Sequence, residues 1–550
     1  MKKLLSILLS AGLLLGVTVG AGCGKNDEGA EKNGPFGGVD TSNLSASADT
    51  TDDNYRTFYQ IFVGSFSDSN GDGIGDLRGI INRFDYLNDG NINSGESLGV
   101  QGIWLSPIFT SPTYHKYDAT DYYAIDPDFG TEDDLKELVA LCKERNVKLI
   151  MDLAINHTST QNAWFTRFKS ARQAGATDDE YYDFYSCVSA EERISGNTYT
   201  KLTGVTNAYY ESNFGADMPE LNFDNPAVRE ETLNIARHYM EMGVGGFRFD
   251  AVKYIYYESH EKSASFWEWY TGELRKDYPD IYLVGECWDA NSAILQYYKA
   301  FNCFNFATSQ AEGAIAMSAK VNMSTMKTGD SIDSFTGTIL NFYNSMKAKN
   351  ADGMYIPFLS NHDMDRSAGY LFASVNSAHM AANLYLLCSG SPFIYYGEEI
   401  GMKGTRGGAN TDANRRLAML WGDNDTVADP VGTTYSKSKQ TNGTVAEQLA
   451  TDNSLLRYYQ KVIRFRIEYP EIARGDYKEV IKTSNDRVGG FVIEYKGENT
   501  FLIHNASTQD AEVNLNGLTL SHICGYIGQG SASLKGKTLK IGAQTSVVLK

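Results

Sequence analysis

The chain has 550 residues, 42% hydrophobic and 12% aromatic, which allows one large domain with one or two smaller ones around a sizeable core. Its formal charge of −19 argues against nucleic acid or an anionic lipid face as partner, and fits an enzyme acting on a neutral substrate.

Lys2 and Lys3 precede an apolar stretch over 4–19, the pattern of an export signal spanning residues 1–22. Gly20-Ala21-Gly22 before Cys23 resembles a bacterial lipoprotein cleavage site, with Gly20 where Leu is usual. Cys23 is thus the expected lipid acceptor, and loss of Lys2 and Lys3 takes the net charge from −19 to −21. Residues 23–54, rich in Gly, Asp, Ser, Thr and Asn, read as a disordered tether. The expected location is a bacterial cell surface, with membrane contact through the anchor alone; plain secretion is the alternative. No later stretch is apolar enough to span a bilayer. Six further cysteines are scattered without a CxxC pair, which indicates no cysteine metal site and leaves their pairing open.

From residue 55, apolar runs alternate with amphipathic stretches. Strands are predicted over 58–66, 102–109, 147–155, 245–250, 281–287, 301–306, 355–359 and 392–396, with helices such as 132–145, 226–242, 263–276 and 378–387 between them. Eight strand–helix repeats predict an α/β protein built on a (β/α)₈, or TIM-type, barrel over 55–157 and 223–470. The interval 158–222 after the third strand is too long for one helix and loop. Rich in polar and aromatic residues, it predicts a lobe over the barrel mouth. Beyond Tyr469 the helical pattern stops, and short alternating segments at 489–495, 500–504 and 545–549 predict an antiparallel β-sandwich over 471–550.

Asp250, Glu286 and Asp363 each close an apolar run where a strand ends. Cleaving a glycosidic bond takes one carboxylic acid for the leaving oxygen and one carboxylate for the developing cation, so acids gathered at strand ends suit that reaction. In order and context, the segments 152–157 (DLAINH), 246–250 (GFRFD), 284–286 (VGE) and 360–363 (SNHD) resemble the conserved regions of the α-amylase family of glycoside hydrolases. The resemblance implies Asp250 as nucleophile, Glu286 as general acid/base and Asp363 as stabiliser. Arg248, two residues before Asp250, faces the same side of the strand and is expected to keep the nucleophile ionised; apolar surroundings should raise the pKa of Glu286. The resemblance also places His157, His362, Arg248, Lys253 and the stacking ring of Tyr117 on substrate. Arg366 is expected to contact substrate or to form a salt bridge beside it, Trp288 to line the leaving-group side or pack in the core, and Asp152 and Asn156 to support the loop.

Residues 68–76 (DSNGDGIGD) carry oxygen side chains at alternate positions with Gly at the sixth, which curls a loop around a hard cation. Asp68, Asn70, Asp72, the Ile74 carbonyl and Asp76 are the expected ligands. Glycine at the twelfth position departs from an EF-hand, and the loop resembles the structural calcium loop of many α-amylase relatives. Asn156 matches a ligand of a second family calcium site, where Tyr254 replaces the usual His. Residues 218–222 (MPELN) resemble the fifth family signature in its form intermediate between oligo-1,6-glucosidases and neopullulanases. Tyr114, three residues before Tyr117, stands where exo-acting relatives often carry Asp. The reading is a monomeric, retaining, endo-acting α-amylase on starch or maltodextrin. An exo-acting α-glucosidase, oligo-1,6-glucosidase or transglycosylase is the enzymatic alternative, and a glycan-binding protein without catalysis the non-enzymatic one. Retention of all three acids counts against the last.

Overall fold

The computed structural model describes residues 53–320, 330–436 and 442–550. The signal, Cys23 and the tether through residue 52 lie outside the described residues. The last two tether residues belong to the body instead. The Asp53 carboxylate pairs with Arg474 at 2.6 Å, and the Asn54 carbonyl accepts from the Ser391 hydroxyl at 2.7 Å.

Seven parallel strands form the central sheet: β1 (Phe58–Ile61), β2 (Gly102–Leu105), β3 (Lys148–Leu153), β4 (Gly246–Phe249), β5 (Tyr282–Gly285), β6 (Asn302–Cys303) and β7 (Phe393–Tyr395). Their order is β6-β5-β4-β3-β2-β1-β7. The ring closes through 355–359, which bridges Phe304 to Ile356 on one side and Phe358 to Phe393 on the other. The eighth strand expected there is reduced to these bridges. Pro357 sits at its centre and has no N–H for a ladder.

Side chains alternate across each strand, so residues two apart share the barrel interior. Phe58, Trp104, Ile150, Tyr282, Val284, Phe304 and Phe393 pack there as a dry layer. One step nearer the C-terminal ends, the same faces carry Gln60, Asp152, Arg248, Asp250 and Glu286. Helices cover the outside: Glu132–Glu144 starts on a Thr131/Asp134 capping box, and Pro226–Glu241 has Pro at its first turn under an Asn225 cap.

After β3 the chain builds the helix Ala163–Ala174 and a three-stranded sheet, Cys187–Val188, Tyr199–Lys201 and Tyr209–Glu211. A bridge from His157 to Glu220 ties this excursion to the barrel mouth, and one from Tyr185 to Leu221 closes it on itself. Helical structure persists past Tyr469, because Pro470 opens a further turn, Pro470–Arg474. Antiparallel sheets of five and three strands follow, starting at Asp476–Lys482, over a core that includes Val488, Phe501, Leu539 and Val547. Cys142, Cys187, Cys287, Cys303 and Cys388 are free thiols. No helix among the described residues is long and apolar enough to cross a membrane.

Gly246 opens β4 with φ +153°, and a Cβ there would stand 1.9 Å from the Tyr282 carbonyl oxygen, whereas one on Gly272, in a helix, would meet nothing within 4 Å. Gly246→Ala should therefore lower the melting temperature by several degrees or abolish soluble expression, while Gly272→Ala should be neutral or stabilising by up to about 1 kcal/mol. Thermal denaturation of the two variants side by side checks this.

Candidate active site

Arg248 is the hub of the barrel mouth. It is 0% exposed. Its Nη1 donates to Asp152 Oδ1 at 2.7 Å and to Asp250 Oδ1 at 2.6 Å, and its Nη2 lies 2.9 Å from Glu286 Oε2. The guanidinium also sits over the Trp104 ring, 5.2 Å from its centroid. Arg248 is thus a buried charge partner beneath the acids.

One positive charge shared by three carboxylates leaves excess negative charge in a dry place. Burial pushes Asp250 up to about 6; Arg248 opposes that, while Asp152 and Asp363 add to it. Arg248 therefore does not depress the nucleophile below the ordinary range. Burial pushes Glu286 up to about 7, with Asp250 and Asp363 adding to it. Glu286 is also held from the main chain. Ala251, in the left-handed region at φ 44°, donates its N–H to Glu286 Oε2 at 3.2 Å.

Asp363 lies in a different field. Burial acts upward on it, but His362 and Arg416 hold its carboxyl well below the usual carboxylate range. His362 Nε2 lies 3.0 Å from Asp363 Oδ2, and Arg416 Nη2 donates to Oδ1 at 2.7 Å. The Gln60 amide donates to His362 Nδ1 at 2.7 Å, which places the ring proton on Nε2. Tyr117 Oη accepts there at 2.6 Å and donates to Asp152 at 2.9 Å. Trp104 donates to the same Asp152 oxygen at 3.2 Å. Asp152 is thus a support, as expected.

The remaining expected residues divide. The Asn156 amide donates to His157 Nδ1 at 2.9 Å, leaving the proton on a buried Nε2. Burial pushes this ring down to about 4, so it is neutral. Lys253 reaches the Trp288 carbonyl at 3.0 Å and Asp289 at 2.9 Å. Arg366 is buried and donates to the carbonyls of Tyr396 at 2.6 Å and Arg415 at 2.9 Å. These bonds give it a structural role in the wall behind the site, made to carbonyls where a salt bridge was expected. The cation beside Asp363 is Arg416, 53 residues away in sequence and outside any motif. Gln60 was more legible: a polar residue on the inner face of an otherwise apolar strand.

In the 68–76 loop, Asp68 Oδ1 accepts the N–H groups of Asn70 and Gly71, and Oδ2 accepts from Gly73 and Thr426. Asp76 caps the helix Leu77–Asn82 through Gly79 and holds Ser69. The oxygen donors are of the type a hard cation takes, although no group of three or more His, Cys, Asp or Glu among the described residues stands in a metal-holding arrangement. At the seam with the lobe, Asn156 Oδ1 and Glu220 Oε1 are buried and unpartnered. Burial leaves the Glu220 carboxyl raised well above its ordinary value.

A barrel with a nucleophile-type carboxylate and a proton-donor carboxyl held on one guanidinium defines a glycoside hydrolase. Comparison with known proteins gives the same class. Residues 60–475 match the alpha-amylase catalytic domain. The chain is 34% identical over 499 residues to Alpha-amylase 3 of Dictyoglomus thermophilum, covering 90% of this chain and 92% of that one. It is 28% identical over 531 residues to an oligo-1,6-glucosidase of Bacillus cereus, covering 82% and 90%. Among solved structures, Eubacterium rectale Amy13B aligns with a TM-score of 0.82 at 34% identity, over 91% of this chain and 96% of that one. The chain belongs to the alpha-amylase family of glycoside hydrolases.

The positions of Asp250 and Glu286 set a pH dependence. As the nucleophile the family resemblance implies, Asp250 would act ionised, so kcat/KM should rise as pH passes about 6; as the implied acid, Glu286 would act protonated, so kcat/KM should fall as pH passes about 7. The pair should give a narrow bell, and Glu286→Gln should abolish its alkaline limb. A pH series on an activated aryl glycoside, which needs little acid assistance, separates the limbs.

Proposed function

We propose that the protein is a retaining, endo-acting α-amylase that hydrolyses internal α-1,4 bonds of starch and maltodextrins at a bacterial cell surface, held there by a lipid on Cys23. The observation that carries the reaction is the sharing of Arg248 by Asp250 and Glu286. Two acids on one guanidinium are close-set, the arrangement of a double displacement. Asp250 attacks the anomeric carbon while Glu286 protonates the departing glycosidic oxygen, giving a glycosyl ester on Asp250. Glu286, now a carboxylate, takes a proton from water. The water oxygen adds to the same carbon and the ester bond breaks, restoring both acids. Asp363, kept anionic, and His362 hold sugar hydroxyls, and Tyr117 supports the ring.

Two features support endo action. Tyr114 hydrogen-bonds Arg416 at 3.1 Å, so the position that would grip a terminal sugar carries an engaged phenol in place of a carboxylate. Aromatic rings also continue away from the centre. Phe214, 42% exposed, lies 5.0 Å from His157 and 4.5 Å from Tyr254, which stacks on Tyr257, while Trp288, also 42% exposed, stacks on Phe306 at 4.9 Å. Such surfaces suit a chain running through a cleft.

Calcium would be structural. Asp68, Asn70, Asp72, the Ile74 carbonyl and Asp76 would hold one ion, supplying charge that ties the first barrel loop. Asn156 with Glu220 would contribute to a second at the lobe seam, where an ion would satisfy the two orphaned oxygens and keep Glu220 ionised.

Asp250→Asn and Glu286→Gln should each lower starch hydrolysis by several orders of magnitude without lowering the melting temperature. End-blocked maltoheptaose should be cleaved by the intact enzyme, with early products a mixture of maltooligosaccharides. Refusal of the blocked substrate together with rapid glucose release from maltose would establish the α-glucosidase reading instead. Calcium should raise the melting temperature of chelated protein in proportion to log concentration, with part of the rise lost in Asp72→Ala and another part in Asn156→Ala. No rise at any concentration would remove calcium from the account.

A further inference from the structure

Tyr117 stands on a loop without regular structure, yet its ring stacks on His362 at 5.4 Å and its hydroxyl bridges His362 and Asp152. The residue before it explains how an irregular loop holds so definite a placement. Lys116 has φ +64°, in the left-handed region that residues other than Gly rarely adopt. Its N–H donates to the Thr113 carbonyl at 3.3 Å, closing a turn over 113–116.

The Lys116 side chain does not follow Tyr117 toward the acids. It is buried against the turn at 126–129, with Nζ 2.8 Å from Asp126 Oδ2. Nζ also donates to Asp128 Oδ2 at 3.3 Å and to the Ser111 carbonyl at 3.4 Å, and lies 5.3 Å from the centroid of the Phe129 ring. Asp126 is a fixed point. Its Oδ2 accepts the Ser111 N–H at 3.0 Å, its Oδ1 accepts the Asp128 N–H at 3.1 Å, and its own N–H donates to the Ile108 carbonyl at 2.8 Å. A buried ammonium must stay with its carboxylate, because leaving either one alone in a dry place is costly. The left-handed turn is what lets residue 116 reach that carboxylate while residue 117 faces the cleft. A relaxed backbone at negative φ would rotate the peptide between them and draw Tyr117 away from Asp152 and His362.

We infer that Lys116 is a positioning residue for the reaction, its buried ion pair with Asp126 holding the strained turn that sets the Tyr117 ring beneath the sugar. The inference rests on Tyr117 as the support of that sugar, as read above. An ion pair that only stabilised the loop would change the melting temperature and leave the folded enzyme's chemistry as it was. A latch acting through Tyr117 changes the chemistry, and does so only while Tyr117 is there.

The test is a double-mutant cycle between Lys116→Met and Tyr117→Ala. It is read as kcat/KM on maltoheptaose, which endo- and exo-acting enzymes both cleave, well below the melting temperature of every variant. Lys116→Met should lower kcat/KM about tenfold to a hundredfold, with the loss in kcat, since the rest of the glucan still binds. Lys116→Gly should lose less, because glycine takes the turn freely without the anchor. In Tyr117→Ala protein, Lys116→Met should cost less than about twofold more. Where the unpaired Asp126 prevents Lys116→Met from folding, Lys116→Met/Asp126→Asn removes both charges and takes its place in the cycle with the same expectations. Losses that multiply in the combined variant, or a Lys116→Met enzyme within about twofold of the parent, overturn the latch even where Tyr117→Ala is impaired. A Tyr117→Ala enzyme as active as the parent overturns the role of Tyr117 and the latch together.

Discussion

The architecture of the site depends on one buried cation. Arg248 has no contact with water, and a guanidinium in that position is tenable only where anions surround it. Asp152, Asp250 and Glu286 supply them within 2.6–2.9 Å. The converse holds for the acids, since removing the guanidinium would leave three carboxylates facing one another in a dry barrel. Neither partner is stable without the other, so the hub ties strands β3, β4 and β5 together at the end where chemistry occurs. The apolar layer of Trp104, Ile150 and Val284 beneath it excludes water and makes these charges act strongly.

The cation is outnumbered, and this imbalance sorts the acids into roles. Asp250 and Glu286 compete for Arg248 and are both raised, which suits the proposed nucleophile, ionised near neutrality, and the proposed acid beside it, still holding its proton there. Asp363 escapes the competition through its own partners, His362 and Arg416, and stays anionic. A relay from Gln60 through His362 and Tyr117 to Asp152 connects the two fields. The division of labour is therefore a property of position: three chemically similar groups differ because their neighbours do.

The lobe and the sandwich act through their seams with the barrel. The lobe returns at Glu220, bridging to His157, and so sets the wall on which Phe214 lies over His157. The sandwich meets the helices Val375–Leu386 and Leu455–Glu468 through hydrogen bonds around Asn383, beside a cavity at the same seam. Both seams contain buried polar atoms without partners, Asn156 and Glu220 at one and His379 at the other. Such atoms are rare in folded proteins.

The sequence by itself determined what short-range order encodes. Apolar runs marked the barrel strands, three of them closed by an acid, and amphipathic stretches marked helices such as Glu132–Glu144 and Pro226–Glu241. Asp250, Glu286, Asp363, His157 and Tyr117 were legible because each sits in a motif only a few residues long. Tertiary structure alone decided which charges meet. Arg366 stands three residues from Asp363 yet turns away to carbonyls behind the wall, while Arg416 arrives from 53 residues further on to pair with it. Arg248 was visible as a same-face neighbour of Asp250, but its third partner, Glu286, lies on the next strand, so the net upward shift of both acids could not be read from spacing. The closing segment at 355–359 looked like a strand by composition, and only its place in the ring, with Pro357 at its centre, reduced it to two bridges. Local pattern fixes a residue's face and conformation; electrostatic role depends on distances across the fold, which no local pattern contains.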